Sequence, residues 1–441
     1  MSPVRLIRHT DPNYPAKVQA LRTQLQRGGL VSRAEKDPLD VPAIVRGVIE
    51  DVTQRGDQAL LELTQKFDHV TLTEETLRVP DDVIQRARDD CDPEFLTLLR
   101  GVIANIRAYQ EHILVRAPEP LTRGGRVLGV RYTPISRVGI YVPGGRAVYP
   151  STVLMTAVPA QVAKVREIVM VSPPTGGEIS PIVLAIAAEL GIREVYRLGG
   201  AVAIAALALG TPHVAAVDKI VGPGNAFVAE AKRQMFGRVG IDSIAGPSEV
   251  FIVADDSARA DWVAADLLAQ AEHDPGTSIL ATPSLRLAEG VLQALEVQSA
   301  QLTRRDAILA ALSRYSAILV TPDLDAACDL ANQFATEHLQ IQTRQDARCL
   351  ERIRNAGALF IGPHTPVPVG DYFAGPSHVL PTGGTARFFS PLSANDFIKS
   401  SSIIRYDATS LTEDSAAIMA FAEREGLTAH AAAVQIRQGK S

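Results

Sequence analysis

From Val41 to Phe67 the apolar positions recur at helical spacing. Ile44, Val45, Val48, Ile49 and Val52 fall on one stripe, and Ala59, Leu60, Leu63 and Phe67 on a second. Gly56 separates the two stripes, so two helices are predicted. The charged stretch from Pro80 to Ile113 keeps the helical spacing, with Pro80 and Asp92-Pro93 placed as helix starts. The first 115 residues are therefore expected to be mostly helix. The rhythm then changes. Short apolar runs, RVGIYV, EIVMVS, REVYRL, DKIVGP, SEVFIVAD, TSILAT, SAILVT and GALFIG, alternate with glycine-rich turns and helical stretches such as PIVLAIAAELGI. That alternation predicts α/β units with largely parallel sheet: at least one sheet, and two are expected. Near the end, LTEDSAAIMAFAERE predicts a helix beginning at Thr-Glu-Asp with Ile418, Phe421 and Ala422 on one side. A second helix is expected after Gly426.

Composition narrows the function classes. A chain of 441 residues with 46% hydrophobic and 21% charged residues can bury more than one core. Its net charge of −5 comes without a long Lys or Arg run, which argues against nucleic acid or an anionic membrane as the main partner and for small-molecule chemistry. Cys91, Cys328 and Cys349 are odd in number and far apart, which argues against a disulfide framework and for a reducing, cytoplasmic setting. The opening MSPVRLIRHTDPNYP lacks the apolar core of a secretory signal. No repeat or low-complexity segment interrupts the chain.

Several stretches could carry chemistry. In ADWVAADLLAQAEHDPGT, Trp262, Val263, Leu267 and Leu268 form an apolar stripe that Asp274-Pro275-Gly276 should end. Gln270 and His273 then lie three apart on one face of the last turn, a spacing that can present two ligands to one metal. A histidine at a helix end also gains from the helix dipole alone, so spacing leaves both readings open. In FATEHLQI, Glu337 and His338 fall where a helix capped at Thr321-Pro322 gives way to a strand, HLQIQT. Adjacent side chains diverge on regular structure, so both serve one site only if the backbone is irregular there. An exposed glutamate beside a satisfied core histidine is the plain alternative. The stretch GPHTPVPVGDYFAGPSHVLPTGGTAR holds His364, Asp371, His378 and Arg387 in a setting suited to cation ligation or to turn chemistry alone. VGPGNAFVAEAKRQ reads as strand, glycine turn and helix, an arrangement that offers N–H groups to a phosphate. It lacks the third glycine of G-x-G-x-x-G, and no complete dinucleotide fingerprint occurs in the chain.

Taken in order, IYVPGGRAVYPSTVLM, VGPGNAFVAEAKRQ, AGPSEV, LLAQAEHD, TEHLQI, GPSHVLPTGGTARF and EGLTAH closely resemble the histidinol dehydrogenase family, essentially from Val41 to His430. The resemblance implies oxidation of L-histidinol through L-histidinal to L-histidine, the last steps of histidine biosynthesis, with Zn2+ and NAD as cofactors. It further implies a homodimer whose site is completed across the interface. The implied zinc ligands are Gln270, His273, Asp371 and His430, the last from the other subunit; these four also meet substrate. Glu337 and His338 are the implied acid/base pair. Ser248, His378 and Glu425 match further substrate contacts, and Tyr141 and Asn225 match NAD contacts.

One position departs from the family. GGAVAIAAL stands where members commonly read G-G-A-Q-A-I, so Val202 replaces a glutamine associated with NAD by a side chain that cannot hydrogen-bond. The implied fold is α/β, with two incomplete Rossmann-like domains, mostly parallel sheets, a helical N-terminal segment (1–36) and a small C-terminal helical tail (391–441) swapped in the dimer. Residues 37–140 and 249–390 would form the domain bearing zinc and the catalytic groups, and 141–248 the NAD side. The rival reading is a paralogous zinc- and NAD-dependent dehydrogenase of another small polar alcohol.

Overall fold

Strands buried on both faces read as unbroken apolar runs, and here those runs assemble into two parallel sheets. The computed structural model describes residues 4–27, 39–144, 149–273 and 276–438. In the first sheet the central strand Ser248–Ala254 is followed outward by Gly276–Thr282 and Ala317–Val320. The chain then doubles back to place His338–Gln342 and Ala358–Ile361 on the other side. The second sheet repeats this order: Arg137–Tyr141 at the centre, Glu167–Ser172 and Glu194–Arg197 outward, then Lys219–Val221 and Gly240–Ile241 on the opposite flank. All pairings in both sheets are parallel. Each therefore has a topological switch point beside its central strand, where open α/β sheets form crevices. Apolar clusters fill the space between each sheet and its helices.

The helices begin and end where local chemistry requires. Asp92 caps Pro93–Ile113 by accepting from the Glu94 N–H, and Gly56, at φ +54°, breaks Val41–Arg55 from Asp57–Asp68. Two starts differ from expectation. The helix Leu324–Phe334 is capped by Asp323, which accepts from the Ala326 N–H, while the Thr321 N–H still bonds to the neighbouring strand at Thr282. The C-terminal helix runs Ala408–Arg424 from an Asp407 cap, ahead of the Thr-Glu-Asp triplet. In both cases an aspartate accepts an orphan N–H that the expected cap would have left unbonded. The second tail helix, Thr428–Gln435, follows Gly426 as expected.

The apolar-run pattern passed over the strands that are not buried runs. Arg5–Arg8 joins the edge of the first sheet beside Ala317–Val320. An antiparallel sheet of Leu121–Arg123, Arg126–Pro134 and Ile398–Arg405 ties the tail to the body. Arg126 strengthens that tie by bridging Asp414 and Glu413. The tail is conspicuously apolar for an exposed element: Ile404 is 72%, Phe421 68% and Ile436 77% exposed. Among the described residues no helix is long and apolar enough to cross a membrane.

Candidate active site

A cleft of about 1350 Å³ separates the two sheets. One wall comes from the carboxyl side of the second sheet's switch point, through Pro143 after the central strand and Pro223–Ala226 after Lys219–Val221. The other comes from the amino ends of the first sheet's strands, where Ser248, Glu249, Glu337 and His338 sit. The first sheet thus presents the end opposite to the usual binding edge of open α/β sheets.

Glu337 and His338 do meet in one place, because the backbone is irregular between helix and strand. Ala335 closes the helix in the left-handed region at φ +50°, so Glu337 precedes the strand and His338 opens it. Both side chains then reach the same stretch of the neighbouring strand. Glu337 Oε2 accepts from Ser248 Oγ at 2.5 Å and from the Glu249 N–H at 2.9 Å. His338 Nδ1 lies 3.1 Å from the Glu249 carbonyl, which can only accept, so Nδ1 carries the hydrogen. The neutral imidazole is left with a bare Nε2. That atom has no hydrogen-bond partner among the described residues and stands 3.6 Å from Asp371 Oδ1. A buried ring nitrogen with a free lone pair beside a cleft is the geometry of a base waiting for a substrate proton.

Burial pulls the His338 pKa down, but the carboxylates of Glu337 and Asp371 outweigh it and lift it above the ordinary histidine value. The neutral, proton-accepting form is therefore lost as pH falls, and lost earlier than for an unperturbed histidine. Glu337→Gln removes one of these two charges, each 3.6 Å from a ring nitrogen, and should move the His338 titration to lower pH, read directly from its ring resonances by NMR. An unmoved titration would mean that Glu337 does not set the base. Beneath this pair, burial pushes the Glu249 carboxyl well above the usual range, and the nearby Glu337 charge adds to the rise.

The other sequence candidates converge on the cleft only in part. Gly276 lets the end of Ala260–Ala271 approach the sheet, since a Cβ there would lie 2.1 Å from the Gln270 carbonyl. This close approach brings Gln270 within 2.7 Å of Ser248 Oγ, to which its Nε2 donates, and His273 into the cleft lining. The expected helix stop at Asp274-Pro275 lies outside the described residues. Asp371 sits on a short helix, Val367–Tyr372, that forms within the Gly/Pro-rich stretch. Burial pushes its carboxyl up, yet His338, His378 and His273 outweigh that and hold it below the carboxylate range. His378 bonds Ser151 at 3.1 Å through Nε2, and burial lowers its pKa below the ordinary histidine value.

Several residues lie elsewhere. His364 packs against Trp262, which is only half-buried under Arg259 and so does not belong to the apolar stripe of its helix. Arg387 donates to the Gln333 carbonyl. Glu425 and His430 are exposed on the tail. On the second sheet, Asn225 lines the cleft while its Oδ1 caps Ala226–Met235. Tyr141 is buried, its hydroxyl accepts from the Gly200 N–H, and its pKa is pushed up to about 12 by burial. Val202 is buried in the apolar core beside it and puts no polar group at this wall. Glu249 was missed in sequence; only its position after Ser248 in AGPSEV hinted at it.

A family model described as histidinol dehydrogenase matches residues 31–438. The chain belongs to the histidinol dehydrogenase family. Histidinol dehydrogenase from Rhodopirellula baltica is 49% identical over 428 residues, covering 95% of this chain and 93% of the relative. That from Geobacillus kaustophilus is 49% identical over 418 residues, covering 94% and 98%. The crystal structure of histidinol dehydrogenase from Elizabethkingia anophelis superposes with a TM-score of 0.90 at 33% identity, covering 99% of this chain and 98% of that one. As a histidinol dehydrogenase family member, this chain has the α/β architecture with mostly parallel sheets and a helical tail that its motifs implied.

Proposed function

We propose that this protein oxidises L-histidinol to L-histidine in two NAD-dependent steps with zinc in the site, in the cytoplasm. The observation that carries the reading is the bare, buried Nε2 of His338 facing Asp371 at the cleft, with Glu337 held beside it by Ser248.

The residues fit zinc as an incomplete set. Among the described residues no three His, Cys, Asp or Glu side chains are grouped to hold a metal. The cleft lining offers the His273 imidazole and the Asp371 carboxylate, and buried Gln270 stands behind them, its Nε2 donating to Ser248. A fourth ligand must come from outside this chain's cleft, and exposed His430 on an apolar tail suits delivery into a partner subunit. Zinc bound there would orient the substrate's imidazole and amine. NAD+ on the Pro223–Ala226 wall would accept the hydrides; with no polar group from Val202 on that side, Asn225 and the backbone groups of that turn are the polar contacts Pro223–Ala226 offers.

In the first oxidation His338 Nε2 takes the alcohol proton as hydride leaves the carbinol carbon. The aldehyde must then be hydrated. Glu337, fixed by Ser248 and the Glu249 N–H, takes a proton from the attacking water while His338 returns its proton to the aldehyde oxygen, which forms the diol and frees Nε2 again. His338 takes the diol proton as the second hydride departs. Ser248 orients both the carboxylate and Gln270, so it couples the base to the ligand set. The test is stoichiometry: L-histidinol should yield two NADH per molecule consumed, since alcohol to acid is a four-electron change. The paralogous-substrate reading predicts no turnover of L-histidinol by the zinc-loaded enzyme.

A further inference from the structure

A buried ion pair away from the reacting groups governs the turn that forms the second wall of the cleft. The side chain of Lys232 is 2% exposed and that of its partner Asp242 4%. Lys232 Nζ donates to Asp242 Oδ1 at 2.5 Å and to the Gly222 carbonyl at 2.7 Å. The other Asp242 oxygen accepts from the Gly222 N–H at 2.7 Å, and Oδ1 also accepts from the Ser243 N–H at 2.7 Å. Both polar groups of one glycine are thus bound by the two halves of one ion pair. Gly222 has φ +113°, and a Cβ there would stand 2.2 Å from the Tyr141 carbonyl, so the turn is pressed against the sheet's central strand. Pro223, Gly224 and Asn225 follow at once and face the cleft, and Asn225 caps the helix that carries Lys232.

Stability explains such a pair poorly. Two charges lose their water on burial, and well-packed apolar side chains of similar size usually serve a fold as well or better. Apolar residues cannot supply directed bonds to both ends of a peptide unit. What the pair does supply is one fixed shape for Gly222–Asn225, and bonds to charged groups are the stronger kind.

We propose that Lys232 and Asp242 are positioning residues for the dinucleotide. They hold the Gly222–Asn225 turn in the conformation that receives NAD+, without touching the reacting atoms. This rests on the reading that NAD+ binds on that wall. With the clamp cut, the turn samples other shapes and the dinucleotide must select the competent one, so its apparent affinity falls by the competent fraction.

The experiment compares the full-length zinc-loaded enzyme with Asp242→Asn and with the double variant Lys232→Met/Asp242→Asn, which leaves no charge buried alone. The KM for NAD+ should rise roughly tenfold, the loss expected for one charge-assisted bond, with the KM for L-histidinol unmoved and kcat changed far less. A fall in melting temperature and active fraction with the KM for NAD+ unchanged would overturn the proposal, because that is the signature of structure alone. In the wild-type enzyme NAD+ should also slow amide exchange across Gly222–Val228. No protection there overturns the proposal even if both variants fail to fold. A wild-type enzyme that neither binds nor reduces NAD+ refutes the functional reading instead, before any variant is compared.

Discussion

His338→Gln is expected to lower kcat for L-histidinol oxidation roughly 10²- to 10⁴-fold, the usual contribution of a positioned general base. The glutamine amide can still donate to the Glu249 carbonyl where Nδ1 now sits, so the pocket should keep its shape. What disappears is the lone pair of Nε2, which has no hydrogen-bond partner among the described residues. Steady-state kinetics, with circular dichroism and zinc content as controls, read the effect. A variant of unchanged fold and unchanged kcat would remove His338 from the mechanism.

The second large effect concerns the tail. On the proposed ligand set and dimer, His430→Ala and Asp371→Asn proteins should each lose zinc and nearly all activity, since each would lack a ligand at every site. Mixed in equal amounts and allowed to exchange, they should regain about a quarter of wild-type activity, because half the dimers are hybrids and each hybrid holds one intact site. In a hybrid, the subunit with His430→Ala keeps its own Asp371 and borrows an intact His430 from its neighbour. If His430 served its own subunit, every mixture would stay inactive. The exposed Ile404, Phe421 and Ile436 make the trans arrangement the physical expectation, for a tail standing free in water would not carry them.

How much of this was legible in the chain depended on burial. SEVFIVA and TSILAT announce themselves because both faces of those strands are covered, leaving no polar alternation to confuse them with a surface segment. Arg126–Pro134 and Ile398–Arg405 were missed for the opposite reason. They pair with each other in the open, and residues such as Lys399, Ser400, Ser401 and Ser402 carry no apolar run. The helix starts expected at Thr321 and at Thr412 were each displaced by a neighbouring aspartate of equally suitable type, Asp323 and Asp407.

At the site, spacing alone could not unite Glu337 with His338, because what unites them is a third residue far away in sequence. The Ala335 turn and the register that sets His338 against Val250 bring both side chains to Glu249. Nor could it foresee Val202 in a core, since a buried valine and a cofactor-facing one look alike in sequence.

One consequence follows from the way His338 is oriented. Many active-site histidines take their tautomer from a neighbouring carboxylate, and a single codon change can erase that instruction. Here it comes from a main-chain carbonyl within a parallel sheet. Any residue that tolerates a strand can occupy position 249 and the oxygen will still be there. The placement of hydrogen on Nδ1 is therefore insulated from point mutation in a way that the side chains around it are not.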